Sequence, residues 1–114
     1  MCSDPALSTS SISDGAGAAN STSTVKNGSP ADFIETSIYA EGWTQGVVIC
    51  FTGCAVLAAG STDFLMATTT YEVDPSASPG SYAIEYCSSL GSPPVSTVVV
   101  VGGASNTPTQ NGGA

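Results

Sequence analysis

Histidine and arginine are absent from this 114-residue chain, and Lys26 is its only base against nine acids, for a formal net charge of −8. Each absence excludes chemistry. Histidine supplies most general acid–base catalysis near neutral pH and most nitrogen ligands for metals, and arginine supplies most bidentate anion binding. A nucleic-acid partner needs a basic surface that displaces counterions from phosphate, whereas this chain would be repelled by it. Serines abound, but none has a base in the central region to activate it as a nucleophile. The carboxylates Glu35, Glu41, Asp63, Glu72, Asp74 and Glu85 are scattered singly. They read as charges at strand ends and turns that keep the chain soluble, rather than as a hydrolytic dyad. The expectation is a protein that is not an enzyme, with no cofactor and no resident metal.

Long apolar runs are also missing. The longest apolar stretch, Gly46 to Gly60, is broken by Thr52 and Gly53 and falls short of the ~20 residues of a membrane helix, so no membrane span is expected. The first residues carry neither a positive n-region nor an apolar h-region, which with Met1 suggests a product of the cytoplasm.

What is present divides the chain in three. Residues 1–30 are Ser, Thr, Ala, Gly and Asn with Leu7, Ile12 and Val25 as the only apolar anchors. Such a segment buries too little surface to offset its ordering entropy, and reads as an extended arm that a partner orders. One route is addition of a strand to an exposed sheet edge, where main-chain hydrogen bonds supply the affinity. Residues 31–103 form the expected core, and residues 104–114 a flexible tail. Asn20-Ser21-Thr22 and Asn27-Gly28-Ser29 fit the glycosylation pattern, which a chain this rich in Ser, Thr and Asn meets by chance.

Within the core the periodicity is that of strands. Phe33–Tyr39 has a mixed pattern, strand or short helix. Gly46–Phe51 is apolar on both faces and β-branched, as a central strand requires, with Cys54–Ala59 as its hairpin partner. Asp63–Val73 is the longest strand candidate, Ser81–Cys87 alternates cleanly, and Val95–Val101 ends in four valines. About five to six strands separated by Gly and Pro predict an all-β fold, a small β-sandwich or barrel-like body. A core of this size supplies little stability by itself, so oligomerisation or docking is expected.

The distinctive side chains are few. Cys50, Cys54 and Cys87 lie in or beside predicted strands and read as small buried hydrophobes or as disulfide partners of one another under oxidising conditions. Zinc would need Cys2 from the arm beside a C-x3-C pair, without help from histidine. Trp43, the sole tryptophan, reads as a core or interface anchor.

In layout the chain resembles the capsid decoration (cement) proteins of tailed bacteriophages, the lambda head-decoration type. The resemblance rests on Ser3-Asp4-Pro5-Ala6 in a small-residue arm and on Gly53-Cys54-Ala55-Val56-Leu57-Ala58-Ala59 in a β-rich body. It covers the arrangement of the whole chain, without a diagnostic motif. It implies a homotrimer on the capsid exterior, made in the host cytoplasm, whose arm pairs with the major capsid protein while the body bridges capsomers. The chain departs from that pattern in its four cysteines and near absence of bases. The rival readings are a secreted or surface-exposed β-module, such as an adhesin or fibre subunit, and a tail or tail-fibre accessory protein.

Overall fold

The computed structural model describes residues 1–15, 31–52 and 65–114. Among them there is no helix. The strands are β1 (Cys2–Ser3), β2 (Leu7–Asp14), β3 (Phe33–Tyr39), β4 (Gly42–Val48), β5 (Ala67–Val73), β6 (Ile84–Glu85), β7 (Val99–Val101) and β8 (Ala104–Asn106). They form a four-stranded sheet in the order β3-β4-β1-β6 and two ribbons, β2-β5 and β7-β8. The fold is all-β and antiparallel, and it is not a closed barrel.

The chain divides into two compact units. The first comprises Met1–Thr9, Ile38–Thr44 and Tyr71–Ala114. Its organising strand is β1, which pairs antiparallel with β4 through Cys2↔Gly42 and with β6 through Cys2↔Glu85 and Ser3↔Ile84. Backbone bonds extend the pairing on both sides. Trp43 N donates to Met1 O at 2.9 Å, Ser3 N to Glu41 O at 3.0 Å and Asp4 N to Ala83 O at 2.9 Å. Asp4-Pro5-Ala6-Leu7 then turns the chain. The Asp4 side chain accepts from Ala6 N at 2.9 Å and its carbonyl from Leu7 N at 2.8 Å, with Pro5 supplying the fixed φ that such a turn favours. Leu7 and Leu90 are the large apolar residues buried among the described ones, and Thr9 is buried with them.

The second unit comprises Ser10–Ser37 and Gln45–Thr70. In it Gly15 N donates to Met66 O at 2.9 Å, and Ser10 Oγ to Thr70 O at 3.1 Å. Gln45 Nε2 reaches both Asp14 Oδ1 and Met66 O, at 3.1 and 3.3 Å. Asp32 N donates to Ile49 O at 3.1 Å, and the Asp32 carboxylate accepts from Phe51 N at 2.9 Å, closing the turn that follows β4.

Three expectations change. The first half of the predicted arm is structured, because β1 is an inner strand and β2 is bracketed by Asp74 N to Ala6 O at 2.8 Å at one end and Gly15 N to Met66 O at the other. Ser and Thr fill most of β2, and the Ser10 hydroxyl and Asp14 carboxylate add side-chain bonds to those of its backbone. The remainder of that arm, with Val25 and Lys26, lies outside the described residues, as do Cys54 and its predicted strand. The predicted tail is likewise engaged, since it contains β8, and Gly113 exchanges two backbone bonds of 2.8 Å with Ile84. The predicted strand at Gly46 begins earlier, at Gly42, and ends at Val48.

Gly42 is the tightest point of the sheet. Its φ is +149°, and a Cβ there would lie 2.1 Å from Met1 O, backbone that cannot swing aside. Any side chain must push β1 out of register. Gly42→Ala is expected to destabilise the fold by at least about 2 kcal/mol, on the scale of a strained backbone plus a clash. A thermal melt checks this, and an unfolding midpoint within a degree or so of the parent would contradict it.

Candidate functional site

Three aspartates in this structure make turns. Asp4 and Asp32 accept backbone amides as described, and Asp74 Oδ1 accepts the Ser76 hydroxyl at 2.6 Å and the Ser76 amide at 2.7 Å. These two bonds favour the charged form and hold the Asp74 carboxyl below its usual value of 3.8, the hydroxyl contributing most. Among the described residues no group of three or more His, Cys, Asp or Glu side chains converges in a way that would hold a metal ion. An open groove of about 570 Å³ is lined by Glu85, Tyr86, Gln110, Gly112, Gly113 and Ala114, where the chain end lies against β6.

The strongest chemical feature is a disulfide between Cys2 and Cys87, with a Cα separation of 5.7 Å and a sequence separation of 85. β1 and β6 bring them together, since Cys2 is the register partner of Glu85, two residues before Cys87. The Ser89 hydroxyl sits 3.6 Å from the Cys2 sulfur and, with that sulfur oxidised, is the donor. Cys50 is disulfide-bonded as well, and the Thr52 hydroxyl donates to its sulfur at 3.2 Å. Of the expected group Cys50, Cys54 and Cys87, the place of Cys87 is therefore corrected. Cys87 takes Cys2 as partner, because residue 2 belongs to the sheet rather than to a free arm. Four cysteines, an even number, are the signal that carries this, once Cys2 is counted among the structured residues. Closing so long a loop removes unfolded-state entropy worth about 4–5 kcal/mol in the chain-entropy account.

Trp43 is half-buried on β4, and its indole Nε1 donates to Tyr71 Oη on β5 at 3.0 Å. Its backbone also bonds Met1 in both directions. The polar end of the expected interface anchor is thus engaged inside its own unit. Of the other arm residues named above, Ser3 pairs in β1, Asp4, Pro5 and Ala6 form the turn, Leu7 is buried and Ile12 is half-buried on β2. The predicted docking strand is therefore, up to Asp14, committed within the fold.

What remains open to a partner is apolar. Exposure reaches 69% at Phe51, 58% at Leu65, 59% at Val73, and 50% and 64% at Val99 and Val100. Scattered apolar side chains on a surface are ordinary; here Val99 and Val100 are adjacent on one short ribbon. None of the described residues belongs to a helix long and apolar enough to cross a membrane. Comparison with protein-family models, with curated proteins and with solved structures finds no match to this chain.

The Asp74 shift has a defined pH consequence. Its folded value is depressed, so the stabilisation it brings is present above the unfolded value and is lost as pH falls through the folded one. Ser76→Ala is expected to return the Asp74 titration, followed by carboxyl NMR shifts, toward 3.8. An unchanged titration would show that the hydroxyl is not the cause.

Proposed function

We propose that the chain is a non-enzymatic structural β-module that works in oxidising surroundings, secreted or exposed on a surface, and holds its place by docking. The observation that carries this is the Cys2–Cys87 disulfide. Disulfides of this structural kind persist outside the reducing cytosol and staple small domains whose cores are thin. Here the described residues bury two large apolar side chains, Leu7 and Leu90, while several valines and Phe51 stay exposed. An adhesin or fibre subunit fits both features: the covalent link resists unfolding, and exposed apolar strands supply contact with neighbours.

The capsid-decoration reading is the second. It is supported by the same exposed apolar surface and by the acidic, base-poor composition, which suits a partner that supplies arginines and lysines. In that reading the module sits on the particle exterior as a homotrimer against the major capsid protein, and its disulfides form after release from the host. A tail accessory protein is a variant of it. Location on an imaged particle, or on a cell or fibre surface, separates these readings.

The oxidising-environment reading is tested by making the full chain in two compartments. Protein exported to an oxidising compartment is expected to take no iodoacetamide at Cys2 or Cys87 until reduced, by intact mass, and to melt well above protein made in the reducing cytosol. The expected gap follows from about 4–5 kcal/mol of loop entropy, and a small domain shifts by roughly 4–8 °C per kcal/mol. Equal melting of oxidised and reduced forms would remove the reason for an oxidising environment.

A further inference from the structure

The β7-β8 ribbon is a two-residue hairpin. Val99, Val100 and Val101 lie opposite Asn106, Ser105 and Ala104, and Gly102 and Gly103 form the turn with φ of +57° and +82°. Two consecutive positive φ angles are the signature of a type I′ turn, which only glycine and a few small polar residues adopt readily. Such a turn closes on a hydrogen-bonded pair, here Val101↔Ala104. In an antiparallel ladder hydrogen-bonded and non-bonded pairs alternate. Val99↔Asn106 is then the next bonded pair, and the N–H and C=O of Val100 point away from β8. Among the described residues no other strand pairs with β7.

Three further observations bear on what that edge meets. Val100 is the most exposed of the large valines here, at 64%, with Val98 at 48% and Val99 at 50%. The edge carries none of the lysines, prolines or other devices by which proteins usually protect an open strand. From Tyr86 to Ala114 the chain has no Asp, Glu, Lys or Arg at all, although the molecule as a whole carries a net charge of −8. A basic partner would find no charge to pair with on this face. Another copy of the same chain would bring an equally neutral, apolar strand, and no like charges would be forced together.

We infer that β7 is a self-association edge, at which two copies of this chain pair β7 to β7, antiparallel about a twofold axis beside Val100. In that register Val100 exchanges both backbone bonds with Val100 of the second copy, and Val99 lies opposite Val101. The result is a continuous four-stranded sheet in which the two valine strands are inner and the two β8 strands are outer. A two-stranded ribbon is marginal in water, and a third and fourth strand with an apolar face supply what it lacks. An isologous contact of this kind closes on itself and does not grow into a fibre. The strand by itself offers less than the roughly 800 Å² per partner of a stable interface, so the dimer is weak and concentration-dependent. The inference deepens the docking function proposed above by naming a partner, and the two fail separately: the melting comparison judges the disulfide, and sedimentation judges the edge.

The test is sedimentation velocity on the oxidised full chain over a concentration series. The weight-average mass is expected to rise from one chain toward two, and to rise further when salt screens the net negative charge, because the Debye length falls from roughly 30 Å at 0.01 M to 3 Å at 1 M. Val100→Lys and Val100→Glu, each alone, are expected to weaken association roughly a hundredfold through juxtaposed like charges. Mixing them is expected to restore a one-to-one dimer. Ser105→Lys, on the opposite strand of the ribbon, serves as the control that leaves association unchanged, and its melt with those of the Val100 variants shows that each is folded. A monomer at every concentration, a trimer, open-ended polymers, or variants that fold but associate as the parent does would each overturn the inference.

Discussion

Everything in the first unit depends on one steric allowance, the missing side chain at Gly42. The backbone of Met1 and Cys2 passes close enough that a Cβ would overlap the Met1 carbonyl, and only through this approach can β1 lie between β4 and β6. A strand of two residues contributes almost no side-chain burial. Its contribution is to satisfy the inward-facing amides and carbonyls of two neighbours that would otherwise be left at open edges. The sheet is therefore held by backbone pairing across distant parts of the chain, with the disulfide as its covalent record. The bond joins Cys2, on the inner strand, to Cys87, just beyond the neighbouring β6.

That arrangement explains how a defined fold coexists with so few large apolar side chains buried among the described residues. Leu7 and Leu90 are buried, while many valines and Phe51 remain exposed. The long-loop disulfide adds stability by restricting the unfolded state. The acids add small local terms. Asp4, Asp32 and Asp74 each close a turn through backbone amides. Contacts with other copies at the neutral β7 edge would bury apolar surface that the fold alone leaves in water.

The sequence announced its fold class through side chains and concealed its order through backbone. Phe33–Tyr39, whose mixed pattern left strand or short helix open, is a strand, and of the candidate Asp63–Val73, rich in β-branched and aromatic residues, Ala67–Val73 is one. The valine run was legible for the same reason, although only Val99–Val101 pairs. β1, β2 and β8 were not legible. Cys2–Ser3 is too short to have a period, and Leu7–Asp14 and Ala104–Asn106 are built of Ser, Thr, Ala and Asn, whose composition is that of a flexible segment. What orders them is pairing with remote strands, which composition does not encode. The partner of Cys87 was misread with them: with Cys2 assigned to a free arm, Cys50 and Cys54 were the only partners left for Cys87, whereas it pairs with Cys2. The hairpin at Gly102-Gly103 follows from local chemistry, but its consequence, that Val100 presents its backbone outward, needs the register.

The central claim is that the N-terminal strand is the inner strand of the sheet rather than an arm awaiting a partner. Native-state hydrogen exchange on the isolated, oxidised protein measures this most directly, because opening of local structure is read amide by amide. The amides of Ser3 and Asp4, bonded to Glu41 O and Ala83 O, are expected to exchange as slowly as that of Trp43. Exchange of Ser3 and Asp4 at unprotected rates, with Trp43 still protected, would contradict the account.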